Sequence, residues 1–427
     1  MRPAPIKPIS PNFHALTRLA PFFRLLTLLA VIAVVFLSVQ QVQAAQDSGF
    51  QSFVQGLWPQ AEARNVSRAT FDAAFEGVVP NPKLIALTKK QAEFVKPVWE
   101  YLAGAVSAKR ISRGQEKRAE WKDTLARAQS QFGVDAAVVM GIWGLETDFG
   151  GFSGDNNVIR SLATLAYARY RGDFFKDELL NALQILQEGH IAPAAMTGSW
   201  AGAMGQTQFM PSSFLKYAVD FNHDGRKDIW TNVPDALGST ANYLKQHGWI
   251  SGETWGYEVV LPKGFNIAAY DPAHFSDFAR FAEAGVVRAD GEAMPRKGDA
   301  ALLMPAGLRG PVFLVTPNFK VIKSYNNSTS YALAVALLGD RINGEGPLHA
   351  GWPRGDKVLT HAQAVELQTR LVKLGYEVGA LDGHLGEKAS QALRGWQRMR
   401  GLPADGYLTP TLIARLKAEA NPGMTGS

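Results

Sequence analysis

The sequence predicts a mainly α-helical fold of the α+β kind, with a small β subregion and a small helical module at the C-terminal end. Three observations carry that reading. Apolar residues recur at helical spacing through most of the first 250 positions, as at Phe53, Leu57 and Ala61. Short β-branched runs punctuated by Pro and Gly are confined to residues 257–323. A Gly/Pro-rich stretch then sets off a last helical segment.

The first residues stand outside that fold. Arg2, Lys7, Arg18 and Arg24 precede an apolar run from Leu25 to Val39 that ends at Val42-Gln43-Ala44. Residues 1–45 therefore read as a secretory signal, cleaved after Ala44 or Ala45. The alternative, a membrane anchor, would need a run of ~20 apolar residues, which this one falls short of. The chain has no cysteine, which removes disulfides, thiolate metal sites and lipid attachment at a new N-terminus. An export signal without disulfides fits a bacterial periplasm. Of the formal charge of +6, four positive charges fall in the signal, so the remainder carries only +2. That balance gives no support to a nucleic-acid partner.

With 46% hydrophobic residues over 427 positions, the chain can bury a large core. The main domain is read as 46–342. Residues 50–119 form a helical preface, and residues 120–248 a helical centre broken by turns at Gly150-Gly151, Gly202 and Gly205. Val259-Val260-Leu261, Val312 to Val315 and Phe319 to Ile322 read as strands, and a last helix begins near Ser330. Residues 343–358 hold Gly344, Gly346, Pro347, Gly351, Pro353 and Gly355 and are expected to be a flexible linker. In the module at 359–420, two Asp-Gly turns, Asp382-Gly383 and Asp405-Gly406, each precede a helix-like segment and suggest an internal duplication.

Val138 to Gly150 reads as a helix capped by Asp135 and stopped by Gly150-Gly151, with Val139, Ile142 and Glu146 on one face. A carboxyl at the end of an apolar stripe loses hydration, which raises its pKa toward a value suited to donating a proton near neutrality. Glu146 is therefore a candidate general acid, although a lone Glu in a last helical turn is by itself usually solvated. Asp148 offers no second catalytic carboxylate, because two residues along a helix point about 200° apart.

The block Gly198-Ser199-Trp200-Ala201-Gly202-Ala203-Met204-Gly205-Gln206-Thr207-Gln208-Phe209-Met210-Pro211 makes the reading specific. With Gly144-Leu145-Glu146-Thr147 it resembles the signature of the membrane-bound lytic transglycosylase B family, whose fold is similar to the core of goose-type lysozyme. Further matches lie at Tyr217 to Asp220, Asp235 to Ser239, Ala241 to Tyr243, His247 to Trp249, Tyr325-Asn326 and Tyr331-Ala332. The resemblance implies that Glu146 is the catalytic acid and that Ser199, Gln208, Tyr325 and Asn326 contact sugar. Sugar sites need amides, hydroxyls and aromatic faces, which these residues supply. Ser199 could equally be a cap and Asn326 a turn former.

Asp220, Asn222, Asp224 and Asp228 alternate along a stretch with Gly225 at its sixth position, the pattern of a calcium loop. Thr231 stands where a bidentate acid would close it, so an Asx-rich turn is the competing reading. No cofactor is expected to be required. The eight histidines form no helical metal pair, and no nucleophile elbow appears. Tyr167, Tyr170, Phe174 and Phe175 read as core.

The module resembles a small peptidoglycan-binding domain through Leu367-Gln368, Leu374-Gly375-Tyr376, Asp382-Gly383, Trp396-Gln397 and Asp405-Gly406. Together the two resemblances imply a periplasmic lytic transglycosylase. It would cleave the bond between N-acetylmuramic acid and N-acetylglucosamine with Glu146 as acid and then base, leaving a 1,6-anhydro product. The expected partner is the peptidoglycan strand, with wall-synthesis and division proteins as further candidates. A goose-type hydrolase using water, and a scaffold that binds wall without cutting it, are the rival readings.

Overall fold

The computed structural model describes residues 48–88, 97–270, 274–356, 359–383, 385–408 and 410–420. The signal read at 1–45 lies outside the described residues. Among them, no helix is long and apolar enough to cross a membrane.

The chain opens in α1 (48–56), α2 (Trp58–Glu62), α3 (Arg68–Phe75), α4 (Pro82–Thr88), α5 (Val98–Ala105), α6 (Ala108–Glu120) and α7 (Lys122–Phe132). Ser67 and Ser107 cap α3 and α6 by accepting from Thr70 and Arg110 backbone N–H groups. Then come α8 (Ala136–Thr147), β1 (Asn156–Asn157), α9 (Val158–Tyr167), α10 (Phe174–Gln187), β2 (Thr197–Gly198), α11 (Pro211–Tyr217) and α12 (Val233–Gln246). The aromatic cluster belongs to the core as expected, with Tyr167 edge-on to Phe50 and Tyr170 stacked on Phe175, though Phe174 is partly exposed.

The β subregion holds β3 (Gly256–Val260), β4 (Ser276–Asp277), α13 (Phe278–Glu283), β5 (Val287–Arg288), β6 (Asp299–Leu303), β7 (Pro305–Leu308) and β8 (Val312–Val315). Five strands form an antiparallel sheet in the order β4-β6-β8-β3-β5. Side chains alternate across it. Ala301, Phe313 and Val315 join the helical core, whereas Ala300, Leu302 and Leu314 join a second cluster with Phe278 and Phe281. The expected strand at Phe319 to Ile322 is instead part of α14 (Pro317–Tyr325). Pro317 at the first turn and the Thr316 hydroxyl, which accepts from Asn318 N–H, start a helix there. The last helix of this domain, α15 (Thr329–Asn343), is capped by Ser328.

The expected flexible linker is packed down. Trp352 lies 6.5 Å from Trp99, and Glu258 accepts from the N–H groups of His349 and Ala350, each at 2.8 Å. Beyond it the module folds as α16 (His361–Lys373), α17 (Glu387–Arg398) and α18 (Pro410–Ala420). Its duplication has a physical basis in two buried glutamines. Gln368 accepts from Gly383 N–H and Gln397 from Gly406 N–H, both at 2.8 Å, so each carboxamide fastens one Asp-Gly turn. The second turn also docks on the main domain. Asp405 accepts from Leu308 N–H at 3.2 Å, and Asp356 receives both the Tyr407 hydroxyl at 2.7 Å and the Arg309 guanidinium at 2.6 Å.

Candidate active site

Asp135 caps α8 through Ala137 N–H at 2.8 Å, as expected. The helix is not an amphipathic stripe, however. Every residue from Ala137 to Gly144 is buried, because α8 runs through the centre of the core. Two glycines allow α15 to cross it at close range. A Cβ on Gly141 would stand 2.2 Å from the Val335 carbonyl oxygen, and one on Gly339 2.5 Å from that of Ala137.

The stop also differs from expectation. α8 ends at Thr147, and the left-handed run begins at Asp148 (φ 51°) and Phe149 (φ 60°) before Gly150 (φ 75°). Asp148 N–H bonds Gly144 O and Phe149 N–H bonds Trp143 O, closing the last turn. Phe149 fills the core beside Trp143, so tertiary packing holds a backbone conformation that side chains disfavour.

This stop leaves Glu146 in the final turn, partly accessible yet surrounded by protein. Tyr331, on the first turn of α15, donates its hydroxyl to Glu146 Oε1 at 2.5 Å. Burial pushes the Glu146 carboxyl up to about 7, and the Tyr331 bond partly opposes that rise. The hydroxyls of Tyr101, Tyr325 and Tyr331 are pushed up first by burial and next by the charge of Glu146. The carboxyl therefore faces phenols, and among the described residues no second carboxylate contributes to its shift. Asp148 is engaged elsewhere, with Arg110 and Arg113.

The segment from Gly198 to Phe209 is pinned to α8. Gln206 is buried, accepting from Trp143 Nε1 at 2.9 Å and donating to Trp230 O at 3.2 Å, while its own carbonyl accepts from the Thr147 hydroxyl at 3.1 Å. Among the expected sugar contacts, Tyr325 donates to Thr207 O at 2.6 Å, so it joins Glu146 to this segment. Gln208 sits at φ 52° and donates to Gly205 O and Ser153 O. Ser199 accepts from Ala203 N–H as a turn cap, and exposed Asn326 accepts from Ser328 N–H beside the start of α15. The local roles held open for these two are thus present. Tyr331, Tyr101 and Gln206 were given no role by the sequence, and the Tyr331-Ala332 match was the only signal for the first.

The expected calcium loop directs its oxygens toward its own backbone. Asp220 accepts from Asp224 and Gly225 N–H groups, Asn222 from Asp224, Asp224 from Arg226, and Asp228 from Trp230 and Thr231. Buried Asp235 accepts three further N–H groups of the loop, from Phe221, Asn222 and Asp228. Among the described residues no group of three acidic or histidine side chains is arranged to hold a metal. These bonds form the Asx-rich turn of the competing reading, and each oxygen that accepts a single N–H keeps a second lone pair.

The chain is similar to several known proteins. A family model described as the transglycosylase SLT domain matches residues 49–340, and one described as a peptidoglycan binding domain matches residues 360–416. The chain is 37% identical over 231 residues to membrane-bound lytic murein transglycosylase B of Escherichia coli (strain K12), covering 52% of this chain and 61% of that relative. It is also similar to the crystal structure of SltB3 from Pseudomonas aeruginosa in complex with NAG-anhNAM-pentapeptide. That match has 45% identity and a TM-score of 0.82 over 86% of this chain and 99% of that one. The Escherichia coli lytic transglycosylase Slt35 in complex with calcium matches at 30% identity and a TM-score of 0.57, over 70% of this chain and 94% of that one.

Proposed function

The chain belongs to the transglycosylase SLT domain family, and from that premise we propose that it is a lytic transglycosylase of peptidoglycan. One observation carries the mechanism: Glu146 is a single carboxyl, pushed up to about 7 by burial, bonded to Tyr331 and, among the described residues, without a carboxylate partner. A pKa there suits a group that must give a proton and then take one back. Glu146 protonates the oxygen joining N-acetylmuramic acid to N-acetylglucosamine, and the substrate's acetamido oxygen shields the cation that forms. The ionised Glu146 then accepts the proton of the muramoyl 6-hydroxyl as that oxygen closes on C1. Attack from within the substrate needs no second protein carboxylate and has the entropic advantage of a reactant already in place.

Ser199, Gln208, Tyr325 and Asn326 are the proposed sugar contacts, and the C-terminal module is the proposed wall anchor. An exported, periplasmic location accords with the basic and apolar start of the chain. The step needs no metal, and micromolar calcium should leave the melting temperature unchanged, because Thr231 supplies no bidentate carboxylate to close the loop.

Sacculus digestion tests the reading. Wild type should release fragments ending in 1,6-anhydro-muramoyl residues, and Glu146→Gln should release none while still folding. Released muramoyl ends that borohydride reduces would identify a hydrolase, and turnover by Glu146→Gln within tenfold of wild type would remove Glu146 from the mechanism.

A further inference from the structure

Asp148 lies two residues from Glu146, and the proposed mechanism has no use for it. Both of its oxygens are nevertheless held. Arg110 Nε donates to Oδ1 at 3.3 Å, and Arg113 Nη1 to Oδ2 at 2.6 Å. Asp148 opens the left-handed run that stops α8, a conformation disfavoured for a residue with a side chain. The two guanidinium groups therefore hold the backbone turn that fixes where Glu146 sits.

Arg110 reaches a second element as well. Its Nη1 donates to the carbonyls of Gly104 at 2.9 Å and Ala105 at 2.7 Å, capping the C-terminal turn of α5. That helix carries Tyr101, whose hydroxyl feels the charges of both Glu146 and Arg110. One side chain thus ties the end of α5 to the end of α8. Only a planar fork with donors in several directions can do this; an ammonium has the charge but not the geometry.

We infer that Arg110 is a positioning residue for glycan cleavage, fixing Glu146 through Asp148 and fixing Tyr101 through the last turn of α5. The inference rests on Glu146 being the acid. Tyr101 from α5, Tyr325 from α14 and Tyr331 from α15 face that carboxyl, while Asp148 at the end of α8 is held by Arg110 and Arg113 of α6.

The test compares full-length wild type, Arg110→Gln, Arg110→Lys and Asp148→Asn on soluble glycan fragments, well below their melting temperatures. Arg110→Gln should lower kcat at least tenfold with KM within threefold. It should also move the alkaline limb of the kcat profile to lower pH, since a loosened turn lets water reach the Glu146 carboxyl, whose burial is what raises its pKa. Arg110→Lys keeps the charge without the fork and should restore neither kcat nor the limb. Asp148→Asn tolerates the left-handed turn as aspartate does and carries the test if Arg110→Gln fails to fold. It should lower kcat comparably and move the limb the same way, because the same turn is loosened. A kcat loss below threefold in a folded variant overturns the inference, as does a loss that tracks the unfolded fraction with no movement of the limb. A wild-type chain that releases no 1,6-anhydro ends would instead strike the reading of Glu146 itself.

Discussion

The Tyr331 hydroxyl and Glu146 Oε1 stand 2.5 Å apart across 185 residues of chain, and that bond opposes the effect of burial on the carboxyl. A phenol donating to a carboxylate stabilises its ionised form. Tyr331→Phe should therefore raise the Glu146 pKa above about 7 and extend the acid-dependent step to higher pH, while weakening the ionised form needed for ring closure. The expected result is a kcat loss of about tenfold, in the range of a lost acid–base interaction, with the alkaline limb moved upward. A profile that stays in place would separate Tyr331 from the titration of Glu146.

Stability should carry the same signature. Asp340 is likewise pushed up to about 7, chiefly by burial, while the indole N–H of Trp255 partly opposes the rise. Both acids titrate higher folded than unfolded, so each binds its proton more tightly in the fold. Their stability is full below the unfolded carboxyl range and is lost as pH rises toward 7. A shift from 4.5 to about 7 corresponds to about 3 kcal/mol as an order of magnitude. Glu146→Gln and Asp340→Asn should thus raise the melting temperature more at pH 8 than at pH 5. Equal gains at both values would show that neither acid holds its proton in the fold.

Much of this was legible in the sequence. The Asp135 cap, the helix start near Ser330, the β subregion and the two Asp-Gly turns follow from local chemistry, and the Gly198 block singled out Glu146 as the candidate acid. What stayed hidden depends on contacts between distant residues. Tyr331 and Arg110 act across 185 and 38 positions, which no local pattern encodes. Phe319 to Ile322 was read as a strand because its apolar residues fit either period, and the Thr316 cap with Pro317 decided for helix. The loop at Asp220 has calcium-like spacing, but spacing does not say whether the oxygens point at a cation or at their own backbone.

Helix crossing yields a further prediction. Gly141→Ala would place a methyl 2.2 Å from the Val335 carbonyl oxygen, against backbone that cannot turn aside. α8 and α15 must then separate, and α15 carries Tyr331. The cost should be at least the 1–3 kcal/mol typical of overpacking. The melting temperature should fall by several degrees, and kcat should fall further than the folded fraction explains. A variant of wild-type stability and activity would mean that the two helices are not held at this distance.

Truncation distinguishes the packed linker from a loose one. A chain ending after Asp356 keeps Trp352 against Trp99 and the two N–H bonds onto Glu258. A chain ending at Gly344 loses all three and uncovers Trp99, which is otherwise only 7% exposed. A free tether would make the two shortened chains equally stable, since each would remove only solvated chain. The packed segment instead requires the shorter one to melt lower, by an amount set by the apolar area uncovered. Both lack the module and should pellet with sacculi less well than the full chain, while the longer one should still cut soluble fragments. Equal melting temperatures in calorimetry would restore the flexible linker; equal pelleting of all three chains would take the wall-binding role from the module.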